Sequence, residues 1–596
     1  MSRERTDIPE IYKWDLEAMY SDAESCEKDL KECVAMAEKF TEYRGSLDTG
    51  PKTLLSAFKD MCTLSRKLEK AFTYAMHKKD EDNRVSQFQA LAGACMAAGA
   101  KVSEQLSFFE PELSEIPEEK LREWIESEEG LKVYAHSIDE LIRKKPHILS
   151  KEEEKILASL SEISWVMHES YSMLCDADFS FGSIEGADGE EIELTHGNYV
   201  GLLSGKNRDV RKRAYERMYE MYKKYMNTIS TLYSYSVRQD VASARIRKYP
   251  SALEASVFDD NVPREVYDNL IDVVNENLHL LHRYVALRKR MLALEDLAMY
   301  DIYVPILDLP EKHIEYEEAK EIIDKALIPL GEEYRSNVRM AFESRWTDVY
   351  ETPGKTSGAY SGGCYDSAPY MLLNYDNKLD DVFTVIHEMG HSMQSWYSNK
   401  NQEYINARYP IFTAEVASTV NESLLYRYLI ANAESELEEA YLINQYLDGF
   451  KGTMFRQTQF AEFEREVHAR VEAGDMPTGE SLSKLYGELN AKYYGPDMNY
   501  DELIAAEWAR IPHFYRAFYV YKYATGHAAA TAISSEILEE GEPAAEKYIE
   551  FLKSGGSDYP LELLKLAGVD MSSPEPIRAA MRTFEALLTR LEEILK

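Results

Sequence analysis

The sequence predicts a mainly α-helical protein with a small amount of β-structure, and three observations predict it. Long runs of Ala, Leu, Glu, Lys and Met, broken by short turns, extend from about Leu16 to Val166, with Pro111, Pro117 and Pro146 as punctuation. Helical patterning resumes at Arg208 and again at Leu379, from where it holds almost to Lys596. Two stretches of different texture, 176–196 and 347–376, interrupt it.

Taken in order, the stretches Leu54–Met76 and Lys151–Trp165 read as helices of a layer or bundle with polar outer faces. The segment DADFSFGSIEGADGEEIELTH, Asp176–His196, alternates apolar residues around Gly186-Ala187-Asp188-Gly189 and reads as a β-hairpin. The change of texture there places a domain boundary, dividing the chain into a helical N-terminal domain, 1–190, and a second domain, 191–596. From Thr347 to Asp376 Gly, Ser and Tyr dominate and Tyr370–Tyr375 is a short apolar run, which predicts strands and a glycine-rich loop directly before a helix. Long glycine-rich loops in compact domains are usually functional, so this one is singled out. The acidic run Glu434–Glu439 reads as a solvated helix face.

Charge and composition exclude several functions. Over 596 residues, 68 Lys and Arg stand against 105 Asp and Glu, a formal charge of −37. Proteins that grip phosphate backbones need clustered cations, so a nucleic-acid partner is not expected. Binding to an anionic membrane surface is not expected on the same ground. The six cysteines, Cys26, Cys33, Cys62, Cys95, Cys175 and Cys364, are scattered without a CxxC pair, which argues against a disulfide scaffold. The N-terminal residues lack the apolar core of a secretory signal, and no run approaches about 20 apolar residues. The expectation is a reduced, soluble, cytoplasmic protein.

The chemistry is concentrated in His387-Glu388-Met389-Gly390-His391, an H-E-x-x-H. Val382, Val385, Ile386, Met389 and Met393 recur around it at helical spacing, so the motif lies on a buried helix, with Asp380 and Asp381 suited to its N-terminal end. Residues i and i+4 share a helix face about 5–6 Å apart, so both imidazoles reach one ion. The Glu beside the first His stands where a water would be deprotonated without itself being a ligand, the arrangement of zinc peptidases. Two His and a Glu on a buried face without a function would be costly. A catalytic zinc takes three protein ligands and keeps one open position. The longer metzincin pattern fails, since Gln394 and Tyr397 occupy its Gly and third-His positions. The third ligand therefore comes from elsewhere. The acids next downstream are Glu403, in a polar connection, Glu415, on the apolar helix after Pro410, and Glu422, one heptad beyond Glu415. A carboxylate on the apolar face demands a partner, which favours Glu415; Glu422 suits a ligand histidine's other N–H or is a plain polar helix residue.

A second cluster runs from Arg510 to His527. Tyr519 and Tyr523 are four apart and are read as sharing a helix face, with His513 at the helix entrance. Amide hydrolysis passes through a tetrahedral oxyanion, which Tyr O–H or His N–H donors stabilise. With 42 tyrosines in the chain, aromatic packing is the competing reading.

Together HEMGH, the Glu in FTAEVAST and the segment PHFYRAFYVYKYATG resemble the M3 family of zinc oligopeptidases, most closely its oligoendopeptidase F branch. The likeness extends to SGAYSGGCYDSAPYMLLNY and to the N-terminal IPEIYKWDLEAMY, and so covers nearly the whole chain. The resemblance implies two helical halves enclosing a deep substrate channel, with a small β-sheet beside the HExxH helix of a zincin-like core. It implies an oligoendopeptidase F type N-terminal region over 1–190 and an M3-type catalytic domain over 191–596. It implies one zinc ion held by His387, His391 and Glu415, with Glu388 as general base. His513, Tyr519 and Tyr523 would bind substrate or stabilise the oxyanion. Gly358, Gly362 and Gly363 would lie beside the peptide, which pairs with them as an added strand. The implied partners are short, unstructured oligopeptides, cut by zinc-activated water.

Two other readings are weighed. A carboxypeptidase or dipeptidyl carboxypeptidase on the same scaffold needs a group that captures a terminal carboxylate, for which Arg510 and Arg516 are available. A peptide-binding protein with a structural zinc would be expected to close the site with a fourth protein ligand, often Cys, and none lies in the HEMGH helix.

Overall fold

The computed structural model describes residues 4–310 and 312–596. Helices dominate it, and the chain forms two compact units, each assembled from three separated stretches. One takes Met1–Pro146, Glu311–Tyr428 and Ile533–Val569; the other takes His147–Pro310, Leu429–Ala532 and Asp570–Lys596. The change of texture near residue 190 falls inside the second unit, after the chain has left the first at Pro146. Texture reports local structure, whereas compactness is decided by contacts between distant stretches.

In the first unit the helices Ala23–Phe40, Pro51–Glu81 and Ser86–Leu106 pack on one another. Asp22 caps the first of them by accepting from Ser25 N–H at 2.8 Å, and Pro51 opens the second, where a missing N–H costs nothing. Their apolar faces bury Tyr20, Leu30, Tyr74 and Leu91 together with Trp14 in a core that also takes Tyr370 and Leu372. Those two residues belong to a three-stranded sheet. Its central strand, Tyr370–Leu372, runs parallel to Thr347–Asp348 and antiparallel to Tyr360–Gly362, with Ser361 opposite Met371. Both sequence-predicted β-segments are therefore present, since Ser183–Glu185 and Glu191–Glu193 pair as the expected hairpin in the second unit, with Ile184 opposite Ile192. Gly189 in its turn has φ of 80°, a conformation that favours glycine.

The sheet is anchored from behind by the helix Pro51–Glu81. Asp80 accepts hydrogen bonds from the Tyr360 hydroxyl and from Thr356 Oγ1, both at 2.8 Å, and His77 Nε2 lies 3.2 Å from the Gly362 carbonyl oxygen. Buried Asp348 is gripped by Arg5 and, at 2.8 Å, by the fully buried ammonium of Lys355. The sheet's other face carries the HExxH helix, Leu379–Asn401. Asp381 opens that helix by accepting from the N–H groups of Asp376 and Lys378, both at 2.9 Å. Val382, Val385, Ile386, Met389 and Met393 are buried, as the spacing predicts. The helix Glu542–Ser554 packs on it as well.

In the second unit the helices Arg208–Lys224, Met226–Ile246, Arg456–Glu472 and Gly479–Tyr494 form the frame. All six cysteines are free. Among the described residues no helix is long and apolar enough to cross a membrane.

Candidate metal centre

His387 and His391 project from the same face of the HExxH helix, and their Nε2 atoms approach to 3.2 Å. The helix Ile411–Ala431 brings Glu415 to them: its Oε2 stands 3.5 Å from His387 Nε2 and 3.6 Å from His391 Nε2. A tetrahedral ion at about 2.0–2.1 Å from each ligand sets those ligands about 3.3–3.4 Å apart. The triangle is thus the size a zinc ion requires, and two imidazoles with one carboxylate are a donor set that zinc takes. Among the described residues it is the one group of three that could hold a metal ion. Of the three acids open to the sequence, Glu403 is exposed ahead of the short helix Tyr404–Ala407 and is not in this group. Glu422 lies on the other side of a ligand candidate, where its Oε1 accepts from His387 Nδ1 at 2.5 Å. That bond places the proton on Nδ1 and leaves the Nε2 lone pair facing the triangle.

Gly390, inside the motif, explains how the two helices come so close. A Cβ there would lie 2.5 Å from Ser418 Cα and 2.7 Å from the Ala417 carbonyl oxygen and Ser418 N. The contact is stitched by buried Asn421, whose Nδ2 donates to the Ile386 carbonyl at 3.2 Å and whose Oδ1 accepts from the Tyr334 hydroxyl at 3.1 Å. Ser418 Oγ donates to the Glu415 carboxylate at 3.2 Å. Gly390, Ser418 and Asn421 were not singled out from sequence; a glycine within a buried helix was the one available signal.

The charges are arranged to suit a cation. The bond from His391, the neighbouring His387 and Ser418 outweigh burial and hold the Glu415 carboxyl down at about 2, so it is anionic. Burial pushes His387 down, but the contact with Glu422 and the nearby Glu388 and Glu415 more than reverse it, so its pKa is raised. Glu388 is buried beside the two histidines; burial raises its carboxyl, against the pull of both histidines and a hydrogen bond from the Ser361 backbone.

Ser361 belongs to the edge strand Tyr360–Gly362, and its Oγ is 2.8 Å from Ser392 Oγ on the HExxH helix, so the glycine-rich segment lies alongside the motif. Gly358 has φ of 83° with open space around it. Gly363 makes a tight return, since a Cβ there would meet the Ala368 carbonyl oxygen at 2.6 Å.

His513, Tyr519 and Tyr523 are in the second unit, where they meet. The His513 ring stacks on Tyr519 at 6.4 Å, and the Tyr519 and Tyr523 rings stand edge to face at 5.5 Å. Their geometry is not the shared helix face that the spacing predicts. The helix Tyr521–Glu540 begins after Tyr519, which lies in the preceding turn next to Phe518, a residue with φ of 57°. A left-handed non-glycine residue has no sequence signature, which is why the spacing misleads here. His513 sits in the short 3₁₀ turn Pro512–Tyr515, and its pKa is lowered by burial and by the charges of Arg516 and Arg456.

Comparison with known proteins gives the family. The model of peptidase family M3 matches residues 202–583, and that of the Oligopeptidase F N-terminal region matches 112–181. The chain belongs to peptidase family M3. It is 43% identical over 592 residues to Oligopeptidase PepF of Bacillus subtilis, covering 99% of this chain and 88% of that one. It is 41% identical to Group B oligopeptidase PepB of Streptococcus agalactiae, over 100% of this chain and 99% of that one. The crystal structure of oligoendopeptidase-F from Enterococcus faecium superposes with a TM-score of 0.74 at 38% identity, over 96% of this chain and 98% of that one. A structure from Chlamydophila abortus reaches 0.94 at 35% identity, covering both chains fully. The M3 membership makes this protein a metallopeptidase of the oligoendopeptidase F type.

Proposed function

We propose that this M3 peptidase is a zinc endopeptidase of the cytoplasm that cuts short, unstructured peptides at internal bonds. The observation that carries the reading is the triangle of His387 Nε2, His391 Nε2 and Glu415 Oε2, with sides of 3.2, 3.5 and 3.6 Å. These three residues would hold the zinc, and when bound it supplies Lewis acidity, activating water and polarising the scissile carbonyl. Glu422 holds His387 in the tautomer that presents Nε2. Glu388 is the general base: its carboxylate takes the proton of the attacking water and returns it to the leaving amine. His513, Tyr519 and Tyr523 supply donors to the developing oxyanion or to the substrate backbone. Gly358, Gly362 and Gly363 flank the peptide, which adds to the edge strand. The Gly362 carbonyl oxygen faces His77, so the pairing uses other groups of the segment. In family terms 1–190 is the oligoendopeptidase F type region and 191–596 the catalytic domain.

Of the two arginines open to the carboxypeptidase alternative, one is already engaged. The Arg510 guanidinium is already shared with Glu507 at 3.3 Å and lies over the Tyr199 ring. Mass spectrometry of a peptide acetylated at its N-terminus and amidated at its C-terminus tests the choice. Internal cuts that vanish with a chelator and return with zinc are expected; a blocked peptide left intact while its unblocked counterpart is trimmed from its ends would refute the endopeptidase reading.

A further inference from the structure

The turn that carries Tyr519 is held from beneath by a group the mechanism does not use. Glu464, on the helix Arg456–Glu472, is fully buried. Its Oε1 accepts the backbone N–H of Phe518 at 3.0 Å, while its Oε2 is buried with no hydrogen-bond partner among the described residues. A buried carboxylate with one oxygen unanswered is costly, and a protonated carboxyl costs less. Burial drives this carboxyl well above the ordinary carboxylate range, and nearby Asp240 adds to the effect. Burial therefore favours the neutral form of Glu464, and its Oε1 is aimed at one amide.

That amide is an unusual one. Phe518 is buried and has φ of 57°, a conformation a bulky residue adopts only when its surroundings hold it there. Its ring is fixed against His468 at 4.4 Å and Tyr267 at 5.7 Å. The preceding Ala517 carbonyl accepts from Ser256 Oγ at 3.0 Å. The left-handed residue ends the path from His513 and turns the chain so that Tyr519 returns over the His513 ring before the helix starts at Tyr521. Strain of this kind, fixed by a buried acceptor next to donor-bearing rings, is a device for orientation.

We propose that Glu464 is a positioning residue for peptide hydrolysis: by holding the Phe518 backbone it sets Tyr519 against His513 and Tyr523 in the orientation that serves the oxyanion. The inference rests on the reading of those three residues as donors. Orientation matters steeply, since a misplacement of about 1 Å costs on the order of 100-fold in rate. A group that only orients a transition-state donor acts on kcat and leaves KM in place.

The test is steady-state cleavage of a quenched fluorescent peptide by the zinc-loaded full chain. Glu464→Met removes the acceptor and is expected to lower kcat by about 10- to 100-fold with KM within about twofold and zinc content unchanged. Glu464→Gln keeps a carbonyl oxygen towards Phe518 and is expected to retain kcat within about threefold of the parent. A Met variant with parental kcat, or a Gln variant as impaired as Met, overturns the proposal. Should the Met variant not fold, Glu464→Asp carries the test, since the shorter side chain withdraws the acceptor; a folded Asp variant with parental kcat overturns it equally. Tyr519→Phe and Tyr523→Phe separate the two layers. Loss of kcat in either, with a parental Glu464→Met, strikes the positioning role alone. Full kcat in both strikes the donor reading and this inference with it.

Discussion

Gly390→Ala is the sharpest test of how the site is assembled. Helix propensity alone favours the change by about 1 kcal/mol, because Ala restricts the unfolded chain more than Gly does. The structure predicts the opposite outcome. The new Cβ would sit 2.5 Å from Ser418 Cα, a backbone atom that no rotamer change can move. Ordinary carbon contacts lie at about 3.5–4.0 Å, so the helix Ile411–Ala431 must retreat by roughly 1 Å. Overpacking of this kind costs about 1–3 kcal/mol, which equals or exceeds the propensity gain. Glu415 precedes Ser418 by three residues on that helix and retreats with it. Metal ligands tolerate about 0.2 Å, so the carboxylate leaves coordinating range unless its side chain stretches after it. Zinc affinity is expected to fall by about 10- to 100-fold, as for other disturbances of a ligand's support. Competition against a fluorescent chelator measures it, with urea unfolding of the zinc-free protein as the companion. A Gly390→Ala protein with parental zinc affinity and equal or greater stability would refute the close helix crossing and its role in placing Glu415.

Other outcomes follow from the same geometry. Glu388→Gln is expected to keep one equivalent of zinc and lose peptide turnover, by metal analysis and cleavage assay on one sample; substantial turnover would remove Glu388 as the base. Glu422→Ala frees His387 Nδ1 and is expected to weaken zinc by about 10- to 100-fold in chelator competition without preventing folding. Asp348→Asn leaves Arg5 with Glu81 alone and takes the carboxylate from the buried Lys355 ammonium, at a cost of about 3–5 kcal/mol near pH 7 in urea unfolding. Burial pushes the Asp348 carboxyl up, but Arg5 and Lys355 outweigh it and hold it below the usual range. A depressed folded-state pKa gives stability that is present above the unfolded value of about 4 and lost as pH falls through the folded one. The gap between Asp348→Asn and its parent should therefore narrow below about pH 4; a constant gap would contradict the ion-pair account.

The parts of the site legible in the sequence are those set by local periodicity. His387, Glu388 and His391 declare themselves through their spacing on an apolar helix, and the same helical logic marks Glu415 as a carboxylate on a face with no use for one. The choice among Glu403, Glu415 and Glu422 is not local, because it depends on how the helix Ile411–Ala431 crosses the motif. That crossing is fixed by the missing side chain of Gly390 and by one Asn421 amide, neither of which leaves a pattern. His77 and Asp80 hold a strand nearly three hundred residues away in sequence. The interleaving of the two compact units is invisible for the same reason. The aromatic trio shows the reverse error: a periodicity was present, but Phe518 breaks the helix ahead of it, and the three rings meet through a turn.

The central claim is that His387, His391 and Glu415 hold the zinc on which catalysis depends. Metal analysis of the dialysed protein and of its Glu415→Ala and Glu403→Ala variants tests it most directly. One zinc per chain is predicted for the parent and for Glu403→Ala, and a loss of bound zinc for Glu415→Ala. A full equivalent retained by Glu415→Ala would contradict the account.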